Sequence, residues 1–395
     1  MNTLQNISTS IQDWIQDRFD IRPILDALNK NLRKVVPPHT NFFYTLGSMA
    51  LLLFVLQVIT GLLMMVYYKP TVKDAYQSVQ FIMEEVPFGW LIRQLHAWGA
   101  SLMVLIVFLH MLKTFVYGGY KRPREITWMA GVLLFGIVLG FGFTGYLLPW
   151  DQLAFWATTV GTEAPGSMPV VGPLTTEWMR GGAEVGEATL GRFFVAHVAL
   201  LPLAFIGLVS LHLLLVRIQG TAPLQRTDEP EPTGEELKKR GGKPFFPHHV
   251  LKEAMVAYIL IGILLTLSIL TPFHLAEPAN PFETPQGIKP EWYFLPMFQL
   301  LKYMPEPIAV ALPGIVGLLL FLLPFIDRSP ERDPRRRPLA MGIGAAFLVI
   351  TLALGVLGKL SDTTQTIFGI PYHFDLKGIP HSIPSPEPKA GEDTP

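Results

Sequence analysis

Seven long apolar stretches, separated by polar connections, set the pattern of this chain. Each contains about twenty or more residues with few charges, enough for a helix to cross a hydrocarbon core about 30 Å thick. Their continuous hydrophobicity favours helices over barrel strands, in which apolar and polar residues alternate. We therefore predict an all-α integral membrane protein with spans at residues 43–68, 90–117, 125–148, 190–217, 250–271, 307–327 and 339–358.

Basic residues concentrate in alternate connections between these stretches. They precede the first span and lie between the second and third, the fourth and fifth, and the sixth and seventh. All four positions share one side of the membrane if every span crosses it, and cytoplasmic loops are the ones enriched in lysine and arginine. We therefore expect the N-terminus in the cytoplasm and the C-terminus outside.

The segment before the first span, residues 1–42, has an amphipathic pattern. Such a pattern is typical of a helix that lies on the membrane surface with its apolar side chains in the lipid. The expected apolar contacts are Trp14, Ile15, Phe19, Ile21 and Ile24.

A polar, proline-rich linker at residues 218–249 divides the chain into two halves. A four-span half, residues 43–217, precedes it, and a three-span half, residues 250–360, follows it. The remaining segment, residues 361–395, is rich in proline and charge near its end, and we expect a mostly unstructured tail on the outer side.

Two of the stretches each carry a pair of histidines. His96 and His110 are fourteen residues apart, and His197 and His212 are fifteen apart. On a helix these separations correspond to rises of about 21 and 22 Å along the axis. The two histidines of each stretch differ in direction by only about 40° and 60°, so they lie near one face of their helix. Ionisable residues inside a span are costly and usually functional. The matched pairs therefore predict two haems, between His96 and His197 and between His110 and His212, although a single histidine could merely hydrogen-bond across a bundle.

Glycines repeat this separation in the first and third spans. Gly47 and Gly61 are fourteen residues apart, and so are Gly131 and Gly145. Because glycine lets another group approach the backbone closely, the repeat predicts that these glycines face the edges of the two haems. Close packing of helices through small residues is the alternative explanation.

Composition narrows the chemistry. Only 16% of the residues are charged and the formal net charge is zero, so bulk charge points to no nucleic acid or anionic partner. The 395 residues include no cysteine, which excludes disulfides, thioether-bound haem and cysteine-ligated iron–sulfur clusters from this chain. Any haem must therefore be held noncovalently by histidine.

Several segments resemble signatures of cytochrome b from the Rieske/cytochrome b complexes, the bc and b6f type. They are VPPHTNFFYTLGS, YKRPREITWMAGV, GFTGYLLPWDQ, TLGRFF and KPEWYFLPMFQLLK. The spacing of His197 and His212, the PWDQ sequence and the seven-span length are similar to chloroplast-type cytochrome b6 joined to subunit IV in one chain. The resemblance implies a dihaem four-helix bundle followed by a three-helix unit with a quinol-oxidation loop.

The resemblance also implies how the haems are held. His96 and His197 correspond to ligands of the low-potential b-type haem near the outer face. His110 and His212 correspond to ligands of the high-potential b-type haem near the inner face.

Cations accompany the haem ligands in the family. Arg93 and Arg192 match positions that face the outer haem, where a fixed cation can pair with propionates. Lys113 takes the inner position, and lysine keeps the charge but not the bidentate fork of arginine. Thr45 stands where chloroplast-type relatives carry a cysteine that binds a third haem. A covalent third haem is therefore excluded, whereas a noncovalent one on the inner side stays open.

Two quinone sites follow from the resemblance. In the outer site a carboxylate beside the quinol hydroxyl can accept a proton, a role that falls to Glu291. Residues 146–150 are expected to wall this site, and Phe294 and Leu295 to line its apolar side. The residues assigned to the reaction are Tyr146, Pro290, Glu291, Trp292 and Tyr293.

At the inner quinone site Arg217 matches a basic position of the chloroplast-type proteins. The acidic partner of that position does not align plainly. The N-terminal segment offers Asn29 and Lys30, with Asp26 one turn earlier.

These features imply the cytochrome b subunit of an oxidoreductase that passes electrons from quinol to cytochrome c or a plastocyanin-like acceptor. Bifurcated oxidation of quinol outside is coupled, through two haems and an inner quinone site, to proton translocation. The implied partners are a Rieske iron–sulfur protein, a c-type cytochrome, quinone, the lipid bilayer and a second copy of the complex, with no nucleic acid. The resemblance also implies a bacterial cytoplasmic or photosynthetic membrane.

Two other functions share part of the pattern. A dihaem anchor for a dehydrogenase would keep the histidine pairs but has no need of the PEWY and PWDQ sequences. A transporter that relays protons through intramembrane histidines would show no haem absorbance.

Overall fold

The computed structural model describes residues 2–285 and 287–383. Within these ranges seven helices are long and apolar enough to cross a membrane, with mean hydropathies between 1.9 and 2.5. They confirm the predicted all-α membrane fold. In chain order, spans 1 to 7 are Phe42–Met65, Gly89–Val116, Glu125–Tyr146, Glu187–Gln219, Phe245–Leu270, Glu306–Ile326 and Pro338–Leu360.

Shorter helices occupy the N-terminal segment and the connections. Asp151 begins one of them by accepting a hydrogen bond from the backbone N–H of Ala154, and Gly181 ends another in the left-handed conformation with φ of 78°. The short helices are Asn2–Arg18, Arg22–Leu32, Ala75–Glu84, Gln152–Glu163, Gly172–Arg180, Gly234–Lys239 and Leu295–Leu300, with 3₁₀ turns at Ala164–Ser167 and Pro334–Arg336.

The N-terminal segment forms two helices where one was predicted. Between them, the carboxylate of Asp20 accepts hydrogen bonds from the backbone N–H and the Nε of Arg22, at 3.3 and 2.8 Å. These contacts satisfy the polar groups at the break. Trp14, Phe19 and Ile24 are exposed, so their apolar side chains are available to a membrane surface.

Spans 1 to 4 form a bundle with an aromatic layer at mid-height. Phe54 of span 1 stacks on Phe205 of span 4 with ring centroids 4.1 Å apart, and Phe141 of span 3 approaches both rings. In spans 2 and 4 the buried residues of this layer fall between the two histidines in sequence. The histidine pairs therefore lie at two levels, one above and one below an apolar layer.

Spans 5 to 7 pack on this bundle. Span 5 contacts spans 1 and 2, where Leu260 and Leu264 join the apolar layer, and span 6 contacts span 3. Span 7 packs against the short helix Leu295–Leu300. The connection between spans 5 and 6 therefore runs across one end of the bundle.

We call the two ends of the molecule the His96 end and the His110 end. At the His110 end β1 (Val35–Val36) pairs with β2 (Lys243–Pro244), and Arg124 forms an ion pair with Glu231. At the His96 end Asp151 forms an antiparallel bridge with Pro278. The connections rich in lysine and arginine all lie at the His110 end, as expected if every span crosses.

The segment after span 7 is folded. Strands β3 (Thr363–Ile367), β4 (Ile370–Phe374) and β5 (Pro380–Ser382) form an antiparallel sheet in that order. Phe368 and Gly369, both with positive φ, make the two-residue turn between β3 and β4, and four of the five residues of β3 are β-branched. The predicted unstructured tail is therefore wrong for residues 363–382, while residues 384–395 lie outside the described residues.

Candidate functional site

Spans 2 and 4 bring the four histidines together in two facing pairs. The ring centroids of His96 and His197 are 6.2 Å apart, and those of His110 and His212 are 6.5 Å apart. The rings meet edge to face in both pairs. The sequence spacing therefore predicts the pairs that the fold brings together.

A π turn in span 4 accounts for the unequal spacing of the pairs. Residues Ala196–Leu200, which include His197, form one π-helical turn. Such a turn takes up one extra residue. The fifteen residues from His197 to His212 thus rotate the chain about as far as fourteen residues of regular helix, which leaves both spans with a similar offset of about 40° between their histidines.

Each of the four glycines faces one of the histidine rings. A Cβ atom on Gly145 would lie 2.6 Å from Cε1 of His197, closer than real Cβ contacts. The group that each glycine admits is thus the imidazole ring of a predicted haem ligand, so these glycines make room for the ligands themselves. The matching distances are 3.0 Å for Gly47 and His110, 3.3 Å for Gly61 and His96, and 3.5 Å for Gly131 and His212.

The ring nitrogens differ between the two levels. Nδ1 of His96 is 2.9 Å from the hydroxyl of Thr60, and Nδ1 of His197 is 3.2 Å from that of Thr144. At the other level the Nδ1 atoms of His110 and His212 are buried without a hydrogen-bond partner in the described residues. Each level thus presents two imidazoles and few competing polar groups.

This donor set fits a haem better than a bare metal ion. Within residues 2–285 and 287–383, no group of three or more histidine, aspartate or glutamate side chains could hold a metal ion. A haem needs only two axial ligands from the protein, because the macrocycle supplies the other four nitrogens. Two imidazoles that face each other beside glycines meet that requirement.

Three cations lie close in sequence to the histidines. Arg93 donates a hydrogen bond to the backbone oxygen of Phe273, and Arg192 donates to that of Trp178, both at the His96 end. Lys113 lies at the His110 end, where its ammonium is 3.8 Å from the ring centroid of Tyr44. Each level therefore has at least one cation beside it.

A cavity of about 300 Å³ opens at the His96 end, between span 3, the helix Gln152–Glu163 and residues 288–301. Its size is at the lower end of ordinary ligand pockets. Tyr146, Pro290, Glu291 and Phe294 line it among mostly apolar neighbours. The cavity suits a flat apolar ring that carries a polar group.

Two further residues of the predicted motif, Trp292 and Tyr293, are not among the residues that line this cavity. Trp292 donates a hydrogen bond from Nε1 to the hydroxyl of Ser101 on span 2, at 2.8 Å. Tyr293 packs over Gly142, where a Cβ atom would lie 2.6 Å from the phenol oxygen. Both side chains anchor the motif to the four-span bundle.

The predicted wall of the cavity needs correction. Leu147 and Trp150 are buried in a separate apolar cluster with Phe155, and Leu295 packs on Gly358 of span 7. Neighbouring residues of a helix or turn point in different directions. Of the residues predicted as walls, Tyr146 and Phe294 line the cavity, whereas the prediction is wrong for residues 147–150 and for Leu295, which are not among its lining residues.

Glu291 is partly buried beside this cavity. Burial raises the pKa of its carboxyl above the ordinary value, and the ammonium of Lys359 partly opposes that rise. Burial also raises the pKa of Tyr293. A carboxylate whose pKa is raised is a stronger base than an ordinary one, so it can take a proton from a bound donor.

At the His110 end Arg217 lies beside span 5. Its guanidinium carbon is 5.6 Å from the ring centroid of Phe245, and its backbone oxygen accepts a hydrogen bond from Lys34. The buried hydroxyl of Thr45 donates to the backbone oxygen of Phe42 at 2.7 Å. Basic and aromatic groups therefore surround this end of span 4.

Span 5 supplies polar residues that the sequence interpretation missed. The carboxylate of Glu253 accepts a hydrogen bond from Ser48 at 2.9 Å and lies 3.7 Å from Nε2 of His249. Asp26, the acid offered by the sequence, is exposed. Ionisable residues inside a span are usually functional. By this criterion Glu253 could have been identified from the sequence, as the histidines were.

Two family models match the chain. Residues 31–220 match the family described as cytochrome b/b6/petB, and residues 278–371 match cytochrome b(C-terminal)/b6/petD. These matches cover the four-span half and most of the three-span half.

Relatives and a solved structure agree with these matches. The cytochrome b subunit of a cytochrome bc complex from Chlorobaculum thiosulfatiphilum is 43% identical over 352 residues, which cover 87% of this chain and 79% of the relative. Cytochrome b6 of Gloeobacter violaceus is 48% identical and covers 54% of this chain and 97% of itself. A chain of a hyperthermophilic respiratory Complex III superposes with a TM-score of 0.80 at 36% identity, covering 89% and 92% of the two chains.

Proposed function

The chain belongs to the cytochrome b family, and we propose how its residues serve quinol oxidation. It is the cytochrome b subunit of a bc-type quinol oxidoreductase complex and a multi-pass membrane protein. The family carries b-type haems. The observation that carries the proposal is the pairing of four histidines opposite four glycines, at two levels of one bundle.

We propose that each histidine pair holds one b-type haem between its rings. His96 and His197 take one haem, and His110 and His212 take the other. The facing glycines leave room for the imidazole rings, and Arg93, Arg192 and Lys113 would pair with the haem propionates. When bound, the haems supply one-electron transfer across the membrane.

The cavity at the His96 end is the proposed site of quinol oxidation. Its apolar lining suits the quinol ring, and Glu291 is the carboxyl within it. Oxidation of one quinol releases two protons and two electrons, and Glu291 accepts one of the protons. One electron leaves to a Rieske iron–sulfur protein, while the other crosses to the His110 end.

Quinone reduction is proposed at the His110 end. Reduction consumes protons, so the site needs both an anchoring group and a proton donor. Arg217 provides a cation beside Phe245, and Glu253 provides a carboxyl in contact with His249 and Ser48. Proton release at one end and uptake at the other together move protons across the membrane.

The orientation and the partners follow from charge and composition. The basic connections at the His110 end support placing that end and the N-terminus in the cytoplasm. The absence of cysteine means that an iron–sulfur cluster must come from another subunit. We propose a Rieske protein and a c-type cytochrome as partners, and two copies of the complex in the membrane. The linker at 218–249 joins what we propose as cytochrome b6-like and subunit IV-like domains.

Replacement of Glu291 tests this assignment. In the purified complex, E291Q is expected to lower quinol:cytochrome c reductase activity by about tenfold or more, because a positioned base contributes at least that much. E85Q, which changes an exposed glutamate at the same end, is the control. Unchanged activity of E291Q, with both b-type haem signals present, would contradict the role of Glu291.

A further inference from the structure

The end of span 7 packs directly on the segment that carries Glu291. The ammonium of Lys289 donates a hydrogen bond to the backbone oxygen of Lys359 at 2.7 Å. A Cβ atom on Gly358 would lie 3.0 Å from the backbone oxygen of Leu295. The absence of a side chain at 358 is what lets the two segments meet.

A second contact extends this junction toward the cavity. Lys302 donates to the hydroxyl of Ser361 at 2.7 Å, and its ammonium is 4.2 Å from the ring centroid of Phe298, which lines the cavity. Ser361 is fully buried and donates in turn to the backbone oxygen of Gly358. Hydrogen bonds on both sides of Glu291 therefore hold its segment against span 7.

Three ammonium groups share this junction. Burial lowers the pKa of Lys289 and Lys359 lowers it further, and burial lowers the pKa of Lys302 with Lys289 adding to the effect. Asp362 is the carboxylate that opposes both of these shifts. The junction therefore carries excess positive charge beside the cavity.

The groups around Glu291 come from three elements. Span 3 provides Tyr146, the segment itself provides Tyr293, and span 7 provides Lys359. Phenols are neutral near pH 7, so the charge of Lys359 is the one that acts on this carboxyl at working pH. The titratable groups of the whole junction are Tyr146, Lys289, Glu291, Tyr293, Lys302, Lys359 and Asp362.

We propose that Lys359, whose backbone oxygen receives the Lys289 hydrogen bond at the junction between span 7 and the motif segment, is a positioning residue for quinol oxidation, and that its ammonium stabilises the ionised carboxylate of Glu291. Lys289 and Lys302 hold span 7 in the place that this interaction needs. The inference rests on the proposed function, in which ionised Glu291 accepts a proton from quinol.

The sign of the effect follows from the charges. A nearby cation favours the ionised carboxylate, so its removal raises the pKa of Glu291 beyond the rise caused by burial. The acidic limb of the activity profile, where Glu291 becomes protonated, then moves to higher pH. Because Lys359 is exposed, salt screens its charge, and we expect a shift of about half a pH unit at low ionic strength.

The experiment measures quinol:cytochrome c reductase activity of the full complex against pH. K359Q is compared with K359R, which keeps the charge, and with K73Q, which removes an exposed lysine elsewhere at the His96 end. In K359Q the acidic limb should move to higher pH by about half a pH unit, so that activity at a given pH on that limb is about threefold lower. The activity on the plateau should be unchanged. K359R and K73Q should follow the wild type, and salt should move the wild-type limb toward that of K359Q.

Three results overturn the inference. If K359Q keeps the wild-type limb while E291Q loses it, Glu291 is the proton acceptor but Lys359 does not act on it. If K359R shifts as K359Q does, the charge is not responsible. If E291Q itself keeps the wild-type limb, the proposed role of Glu291 fails, and this inference fails with it.

Discussion

A missing Cβ atom decides how closely a histidine ring can approach the neighbouring helix. At Gly145 the nearest ring atom is 2.6 Å from the position of that Cβ, and at Gly131 the corresponding distance is 3.5 Å. The four glycines therefore differ in how much space a side chain would have. Gly145 has no room for a methyl group unless His197 moves, whereas Gly131 has ordinary van der Waals distance.

We predict that G145A loses the haem held by His197. The added methyl group forces the imidazole away from its place, and overpacking of this kind costs about 1 to 3 kcal/mol. G136A in the same span is the control, since a Cβ atom there meets no heavy atom within 4 Å among the described residues. Pyridine haemochrome quantitation should give about half the b-type haem in G145A and the full amount in G136A. Equal haem in both variants would show that the glycine is not needed.

At this scale, the residues that the sequence predicts correctly are those placed by their spacing along helices. The histidine pairs and their glycines follow from fixed separations along helices, to which the π turn of span 4 adds one residue. Leu295 and Trp150 were misplaced because they lie in turns or short helices, where the direction of a side chain depends on tertiary packing. Glu253 was missed although its place inside span 5 marks it as unusual.

The π turn of span 4 is the element that aligns the two haem levels. A fifteen-residue separation on a regular helix differs from a fourteen-residue one by one residue, or about 100° of rotation. The π turn at Ala196–Leu200 absorbs that residue. The unequal spacing is visible in the sequence, but its cause is a backbone irregularity that hydrophobic patterns do not reveal.

We predict that deletion of Val198 is tolerated. The deletion shortens the separation to fourteen residues and lets the π turn become a regular helical turn, so His197 and His212 keep their alignment. Deletion of Ile106 in span 2 is the control, because no π turn there absorbs the change. The visible spectrum should show both b-type haems in the first variant and the loss of at least one in the second. Loss of a haem in both variants would mean that the π turn itself is required.

The sheet after span 7 has local sequence signals that indicate a hairpin. Its hairpin turn is Phe368–Gly369, and β3 is rich in threonine and isoleucine. These local signals indicate a hairpin. The proline-rich composition of the chain end instead indicates an unstructured tail, so composition and local turn signals point to different structures here. Tyr303, which donates a hydrogen bond to the backbone oxygen of Lys377 at 2.6 Å, fastens the sheet to the protein.

At the scale of the whole molecule, buried ion pairs at the His110 end join the two halves. Asp327, just after span 6, contacts Lys121 at 2.8 Å and Arg337 at 2.9 Å, and the two cations are 2% and 1% exposed. Burial opposes ionisation of Asp327, but hydrogen bonds from Lys121 and Tyr120 outweigh it and hold its pKa below the ordinary value. This stabilisation is therefore present at neutral pH and is lost only as the pH falls through that lowered pKa, below about 3.9.

We predict that D327N destabilises the chain by about 3 kcal/mol, because it leaves two buried cations without their shared carboxylate. D228N is the control, since the ion pair of Asp228 with Arg226 is exposed and its loss should cause no measurable change. Thermal loss of the haem spectrum in detergent should occur at a clearly lower temperature in D327N alone. Equal midpoints in both variants would show that the cluster does not hold the halves together.

The central claim is that four histidines hold two haems at two levels of one bundle. A potentiometric titration of the purified complex, followed by visible absorbance and combined with pyridine haemochrome quantitation, tests it most directly. We expect two b-type haems per chain that titrate at separate potentials. A single b-type haem, or none, would contradict it.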